Sequence, residues 1–225
     1  MAWTIGALLW TAAMALAGPK DLSLSLAMVN TKSDFGWLVS RFGEWPGWAL
    51  VLSGVFLLVN TARHPENGWR IYRPLAWSVL ILAACQAGIV TALIKYFWGR
   101  VRFVHLDSNL SNYTPFWIPG GVGVGKSFPS GHTAMAFVCA PLPFFFFARR
   151  MALASWLSLA FVIVYGGGVA WGRIVYGSHF LTDTLFSAGL ALLAAPLVLK
   201  ALDHKPNKKK APTPKEPTPE VSQNK

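Results

Sequence analysis

Apolar stretches of about 16–21 residues recur along the chain, at 47–62, 74–94, 133–148, 151–171 and 180–199, with a further run at 2–17. Short polar and basic stretches separate them. About 20 residues of helix cross the hydrocarbon of a bilayer, so each run is a membrane-helix candidate. Strict apolar–polar alternation is absent, which argues against a β-barrel. The pattern predicts an all-α polytopic membrane bundle of about six transmembrane helices. The count becomes five if the first run is a signal peptide, since Ala13-Met-Ala-Leu-Ala17-Gly-Pro resembles a cleavage site. No Lys or Arg precedes that run, which favours a retained helix. The run at 47–62 is short and can borrow from residues 35–39. Between them Trp37, Phe42 and Trp45 stand among polar residues, as expected at a membrane interface.

Residues 1–202 form one expected membrane domain. From residue 203 the chain turns Lys- and Pro-rich, with Lys208, Lys209 and Lys210 ahead of Pro212, Pro214, Pro217 and Pro219. With almost nothing to bury, this tail is expected to be disordered and cytoplasmic. Of the 225 residues 54% are hydrophobic and only 13% charged, yet the net charge is +11. Much of that charge lies in loops. Arg63, Arg70 and Arg73 share one, Arg149 and Arg150 a second, and Lys200 and Lys205 follow the last run. Helices joined in sequence put these three places on one side, the cytoplasmic one by the positive-inside rule. No aromatic–basic pattern of a nucleic-acid binder is present, and no obligatory protein partner is implied. Cys85 and Cys139 fall inside apolar runs, so neither a disulfide framework nor a zinc motif is supported.

The opposite face gathers chemistry from three distant segments. Lys95 ends one run and is followed by Arg100 and Arg102. Lys126-Ser-Phe-Pro-Ser-Gly-His-Thr-Ala134 opens the next. Gly172-Arg173 through His179 to Asp183 bridges the last two. Pro129 and Ser130 read as a helix start with Ser130 as N-cap, and a helix's first turn aims free amides at an anion. Two histidines, an aspartate and several cations converging on a membrane surface are hard to explain as packing. His179 and Asp183 are four apart, so on a helix they share a face. A carboxylate on one ring nitrogen fixes the tautomer and leaves the other free to attack. His132 can give a proton to a leaving group. Lys95, Arg102, Arg173, Ser130 and the amides near Gly131 would hold the equatorial oxygens of a transferring phosphoryl group. One histidine neutral and the other protonated predicts a bell-shaped pH profile.

A metal mechanism is weakly supported, because Asp21, Asp34, Glu44, Asp107 and Asp183 are mostly unclustered along the sequence; no metal or other cofactor is expected. His64 and His204 fall in cytoplasmic segments. Arg100 and Lys126 are candidates either to extend the basic pocket or to meet lipid head groups, and His105, near Arg102, is a further candidate.

Lys95-x6-Arg102, Pro129-Ser130-Gly131-His132 and Arg173-x5-His179-x3-Asp183 together resemble the tripartite signature of the type 2 phosphatidic acid phosphatase superfamily. The resemblance spans residues 95–183 in the expected order. It implies a helical bundle, metal-independent phosphoester hydrolysis and a phosphohistidine intermediate. It places the nucleophile at His179, its orienting partner at Asp183 and the acid at His132. Lys95, Arg102, Ser130, Gly131 and Arg173 map to phosphate binding. Phe103 departs from the proline usual after the first arginine, and Gly172 from the serine usual before the second. Trp98-Gly-Arg-Val-Arg102 and Gly177-Ser-His-Phe-Leu-Thr-Asp183 are similar to bacterial lipid A 1-phosphatases. The expected protein is thus a lipid phosphatase of a bacterial inner membrane with its site on the periplasmic face. Lipid A at its 1-phosphate is the leading substrate, with phosphatidylglycerophosphate and undecaprenyl diphosphate close behind. A lipid phosphotransferase is the second reading, and a non-catalytic binder of anionic lipids the third.

Overall fold

The computed structural model of the protein describes residues 2–203. The Lys/Pro-rich tail and His204 lie outside the described residues. Helix α1 spans Ala2–Ala17, α2 Asp21–Met28, α3 Asp34–Phe42 and α4 Trp45–Arg63. A long helical stretch follows, made of α5 (Arg73–Ile81), a π-helical segment (Leu82–Val90) and α6 (Thr91–Trp98). Helices α7 (Gly131–Ala136) and α8 (Pro141–Ala148) form the next stretch. Then come α9 (Ala152–Phe161), a second π segment (Val162–Gly166), α10 (Gly167–Val175) and α11 (Leu181–Asp203). No strand occurs among the described residues. Among the described residues, five stretches are long and apolar enough to cross a membrane: Asp34–Arg63, Gly68–His105, Gly131–Ala148, Ala152–Val175 and Leu181–Asp203. The 16-residue α1 packs along α11, where Trp3 and Trp10 each donate an indole N–H to an α11 carbonyl, Leu193 and Leu185, at 3.1 Å.

Burial runs opposite to that of a water-soluble domain. Leu52, Phe56, Leu153, Trp156 and Val164 face outward, whereas Ser78, Gln86, Thr91, Ser155, Thr184 and Ser187 are buried. Lipid tails are as apolar as leucine, so membrane helices associate through small residues and polar contacts. Buried hydroxyls satisfy themselves on the preceding turn: Thr61 donates to Leu57 O at 2.9 Å and Ser78 to Pro74 O at 2.7 Å. Helix α11 is the centre, touching α1, α2, α5, α7, α8 and α10. Its Ala191 and Ala195 meet Val79, Leu82, Val138 and Val162 in the core.

The two ends of the bundle differ. At one, Arg149 lies over the Phe145 ring at 3.6 Å, reaches Ile71 O at 3.5 Å and pairs with Asp203 at 3.1 Å. The three basic segments expected on one side therefore meet there. The other end carries the loops that hold the candidate residues. Gly99 closes α6 with φ +62, and a Cβ there would lie 1.5 Å from Gly121 O. This left-handed turn, cheap only for glycine, sends the chain inward at Arg100.

Candidate active site

The deepest part of this end is an ionic lattice. Arg100 is fully buried, and each of its three guanidinium nitrogens donates to a protein acceptor. Nη1 donates to Asp183 Oδ1 (2.7 Å) and Thr182 Oγ1 (3.0 Å), Nη2 to Asp21 Oδ2 (3.0 Å) and Nε to Thr114 O (2.9 Å). Its plane lies over the Phe180 ring, 4.0 Å from the centroid. Asp21 also accepts from Thr182 N at 3.0 Å and from the Thr182 hydroxyl. Two sequence expectations change here. Arg100 belongs behind the pocket rather than in it, because it is fully buried and all three of its guanidinium nitrogens are already bonded to protein acceptors, two of them to carboxylates. Asp21, isolated in the sequence, is brought against the site by α2.

His179 is 1% exposed, in the turn between α10 and α11. Asp183 does touch it, but Nδ1 to Oδ2 is 3.5 Å, whereas Nδ1 donates to Ser127 O at 2.7 Å. The expected orienting bond is thus taken chiefly by a backbone carbonyl. Asp183 Oδ2 is occupied by Ser127 Oγ (2.5 Å) and Phe180 N (2.9 Å), so the carboxylate fixes the segments that fix the ring. A carbonyl is acceptor-only, so Nδ1 carries the hydrogen and Nε2 the lone pair. Burial pushes the imidazole down to about 3, against the pull of Asp183, and keeps the ring neutral at ordinary pH. The acid limb of a profile set by this ring falls far below neutrality.

Ser130 caps α7 as expected, its oxygen accepting from Thr133 N (3.4 Å) and Thr133 Oγ1 (2.9 Å). It is fully buried, and its N–H donates to Asp183 O at 3.1 Å. Lys95 Nζ lies against Gly131, 3.7 Å from where a Cβ on that residue would stand. Arg173, 5% exposed, donates from Nη1 to Ser40 Oγ at 2.5 Å. Among the described residues, Nε of Arg102 and Nε of Arg173 are buried without an acceptor. His132 stands half-buried with Nδ1 2.9 Å from Glu44 Oε1 and Nε2 3.1 Å from Ser40 O. His105 and Lys126 are exposed and line, with Arg102 and Asn112, a groove of about 490 Å³. Phe103 sets its ring edge-on to Phe180, next to His179.

Sequence reasoning missed Ser40, Glu44, Asp21, Ser127 and Thr182. Ser127 sat inside the quoted motif without a role. Nothing in spacing ties α2, α3 or the start of α4 to residues 130–183. Gly172 explains how α3 arrives: a Cβ there would stand 2.7 Å from Val39, so the glycine lets α3 press onto α10 and bring Ser40 to Arg173. Gly172→Ser, although it restores the residue usual in the motif, is therefore expected to lower activity at least several-fold. Val39→Ala should recover part of the loss, and steady-state assays of the single and double variants check both.

No group of three or more His, Cys, Asp or Glu among the described residues is placed to hold a metal ion. Two carboxylates face Arg100 and a third faces His132. The bundle and its polar end define an integral-membrane protein with one buried histidine set among cations. The chain belongs to the PAP2 superfamily, whose profile matches residues 74–206, the segment from α5 to α11 that holds every site residue expected from sequence. It is 30% identical over 131 residues to a lipid A 1-phosphatase of Porphyromonas gingivalis, a match that takes in 56% of this chain and 24% of that protein. No solved structure matches the chain.

Proposed function

We propose that the protein is a membrane lipid phosphatase that hydrolyses a phosphomonoester or diphosphate through a phosphohistidine at His179. The observation that carries this is the pairing of a neutral, buried His179 with two guanidinium Nε donors, on Arg102 and Arg173, that have no protein acceptor. Buried donors are normally satisfied, and a phosphoryl group supplies the missing acceptors. Lys95, Arg102, Arg173 and the amides at Gly131 hold its equatorial oxygens. His179 Nε2 attacks phosphorus as the bond to the leaving oxygen breaks, and His132 gives that oxygen its proton. Neutral His132 then takes a proton from water, whose oxygen displaces His179 and forms inorganic phosphate. Side chains and amides supply all the charge stabilisation this needs.

The positive-inside rule assigns the basic end with Arg149 to the cytoplasm, which supports a site on the periplasmic face of an inner membrane. The resemblance to lipid A 1-phosphatases at residues 98–102 and 177–183, together with the curated relative of that name, favours lipid A at its 1-phosphate. The groove along Arg102, His105 and Lys126 offers room for the rest of such a head group. Purified protein in mixed micelles is expected to release inorganic phosphate from lipid A faster than from phosphatidylglycerophosphate, phosphatidic acid or undecaprenyl diphosphate. A chelator should leave the rate unchanged and vanadate should inhibit. Release only when a lipid acceptor is added would make the protein a phosphotransferase. No release from any substrate would leave an anionic-lipid binder.

A further inference from the structure

The corner between α3 and α4 lies outside the matched segment 74–206 and is built into the site. Tyr165 pins it from both sides of Glu44, its hydroxyl donating to Gly43 O (2.8 Å) and accepting from Gly47 N (3.0 Å). Gly47 in turn lies against the backbone of Met135, where a Cβ would come within 2.5 Å of the carbonyl oxygen. The start of α4 therefore has a fixed position beside α7, and Glu44 a fixed position beside His132.

The two neighbours of the His132 ring are a carboxylate and a carbonyl, at 2.9 Å and 3.1 Å. Both only accept hydrogen bonds, so a ring that satisfies both donates from both nitrogens and carries a positive charge. Such a charge is costly here. Arg173, Arg102 and Lys95 are gathered at the same end, and Arg173 is linked to the same Ser40 that holds His132. Asp183 is bonded to Arg100, Ser127 and Phe180 N, not to His132. Glu44 is the carboxylate paired with His132 among the described residues.

We infer that Glu44 is the positioning residue of the acid: it holds Nδ1–H of His132 and thereby dedicates Nε2–H to the leaving group. This rests on the reading of His132 as the acid. The parallel with the nucleophile is close, since Ser127 O holds Nδ1–H of His179 and leaves Nε2 to react. In the reaction His132 Nε2–H leaves its hydrogen bond to Ser40 O, and its proton passes from Nε2 to the departing oxygen as the phosphorus–oxygen bond breaks. The Glu44–imidazolium pair becomes carboxylate and neutral imidazole, ready to deprotonate the attacking water. Glu44 does not touch the substrate.

Glu44→Gln keeps the shape and an acceptor oxygen and removes the charge. It is tested beside His132→Asn and the double variant by release of the leaving group in the first turnover, with lipid A and with p-nitrophenyl phosphate. Nitrophenolate departs without a proton; a sugar hydroxyl does not. With lipid A, Glu44→Gln is expected to slow first-turnover release ~10–100-fold, part of the ~10²–10⁴ that general acid catalysis contributes, with KM unchanged. Nitrophenolate release should stay near wild type, and the double variant should be no slower than His132→Asn alone. Wild-type rates in Glu44→Gln beside a leaving-group-dependent loss in His132→Asn would overturn the role of Glu44 and leave the acid standing. Equal losses on both substrates in Glu44→Gln would reduce it to a structural contact and also overturn the role. Equal losses in His132→Asn would remove the acid and Glu44's role with it.

Discussion

His179→Asn is expected to abolish turnover of every phosphate ester, whereas His132→Asn is expected to slow first-turnover release only where the leaving oxygen is basic: this is the largest expected functional difference between two residues of the site. The nucleophile is needed whatever departs. Asparagine keeps a donor toward Ser127 O, where Nδ1 stands at 2.7 Å, but offers no lone pair in place of Nε2. Losing the proton donor costs ~10²–10⁴ on a lipid or sugar leaving group. On p-nitrophenyl phosphate the His132→Asn protein should still release nitrophenolate in its first turnover at near the wild-type rate. Hydrolysis of the phosphoenzyme then slows, because the same ring is the base for water. A burst followed by a slow phase is the expected trace. Equal loss on both substrates in His132→Asn, with turnover surviving in His179→Asn, would exchange the two roles.

The largest expected effect on folding is at Arg100. Arg100→Met removes a cation bonded to both Asp21 and Asp183, each itself fully buried. Breaking one partner out of a buried pair typically costs ~3–5 kcal/mol, because the remaining charge has no water to return to. Arg100→Lys should recover little. An ammonium is a point charge that cannot fork between two carboxylates, donate to Thr114 O and lie flat on Phe180. Asp21→Asn should be milder than Arg100→Met, since Arg100 keeps Asp183. Thermal unfolding in detergent, with helicity as the signal, ranks the variants. An Arg100→Met protein as stable as wild type would show that the lattice does not hold α2, the Arg100 loop and α11 together.

The membrane bundle could be read from the sequence because apolar length is a direct consequence of bilayer thickness. The expected gathering of Lys95, Arg102, Ser130, His132, Arg173, His179 and Asp183 follows from helix ends: each closes or opens an apolar run on the same side. Contacts running sideways across the bundle left no such trace. Asp21 is a lone acid in a mixed segment, and its pairing with Arg100 depends on how α2 docks. Glu44 reaches His132 because α3 presses onto α10 at Gly172 and the start of α4 onto α7 at Gly47, and a close approach of backbones has no periodic signature. The His179–Asp183 spacing was legible, but the nearer acceptor, Ser127 O, is a backbone atom that side-chain patterns cannot reveal. The tripartite resemblance names the groups proposed to react; the groups that hold them came from the packing.

Direct detection of the covalent intermediate tests the mechanism most sharply. His132→Asn protein mixed with p-nitrophenyl phosphate, quenched in alkali and digested, is expected to carry one phosphoryl group on the peptide containing His179. Wild type should carry far less, and His179→Asn none. Phosphate release in every variant with no phosphoryl group on any peptide, or a group found on a residue other than His179, would contradict attack by His179.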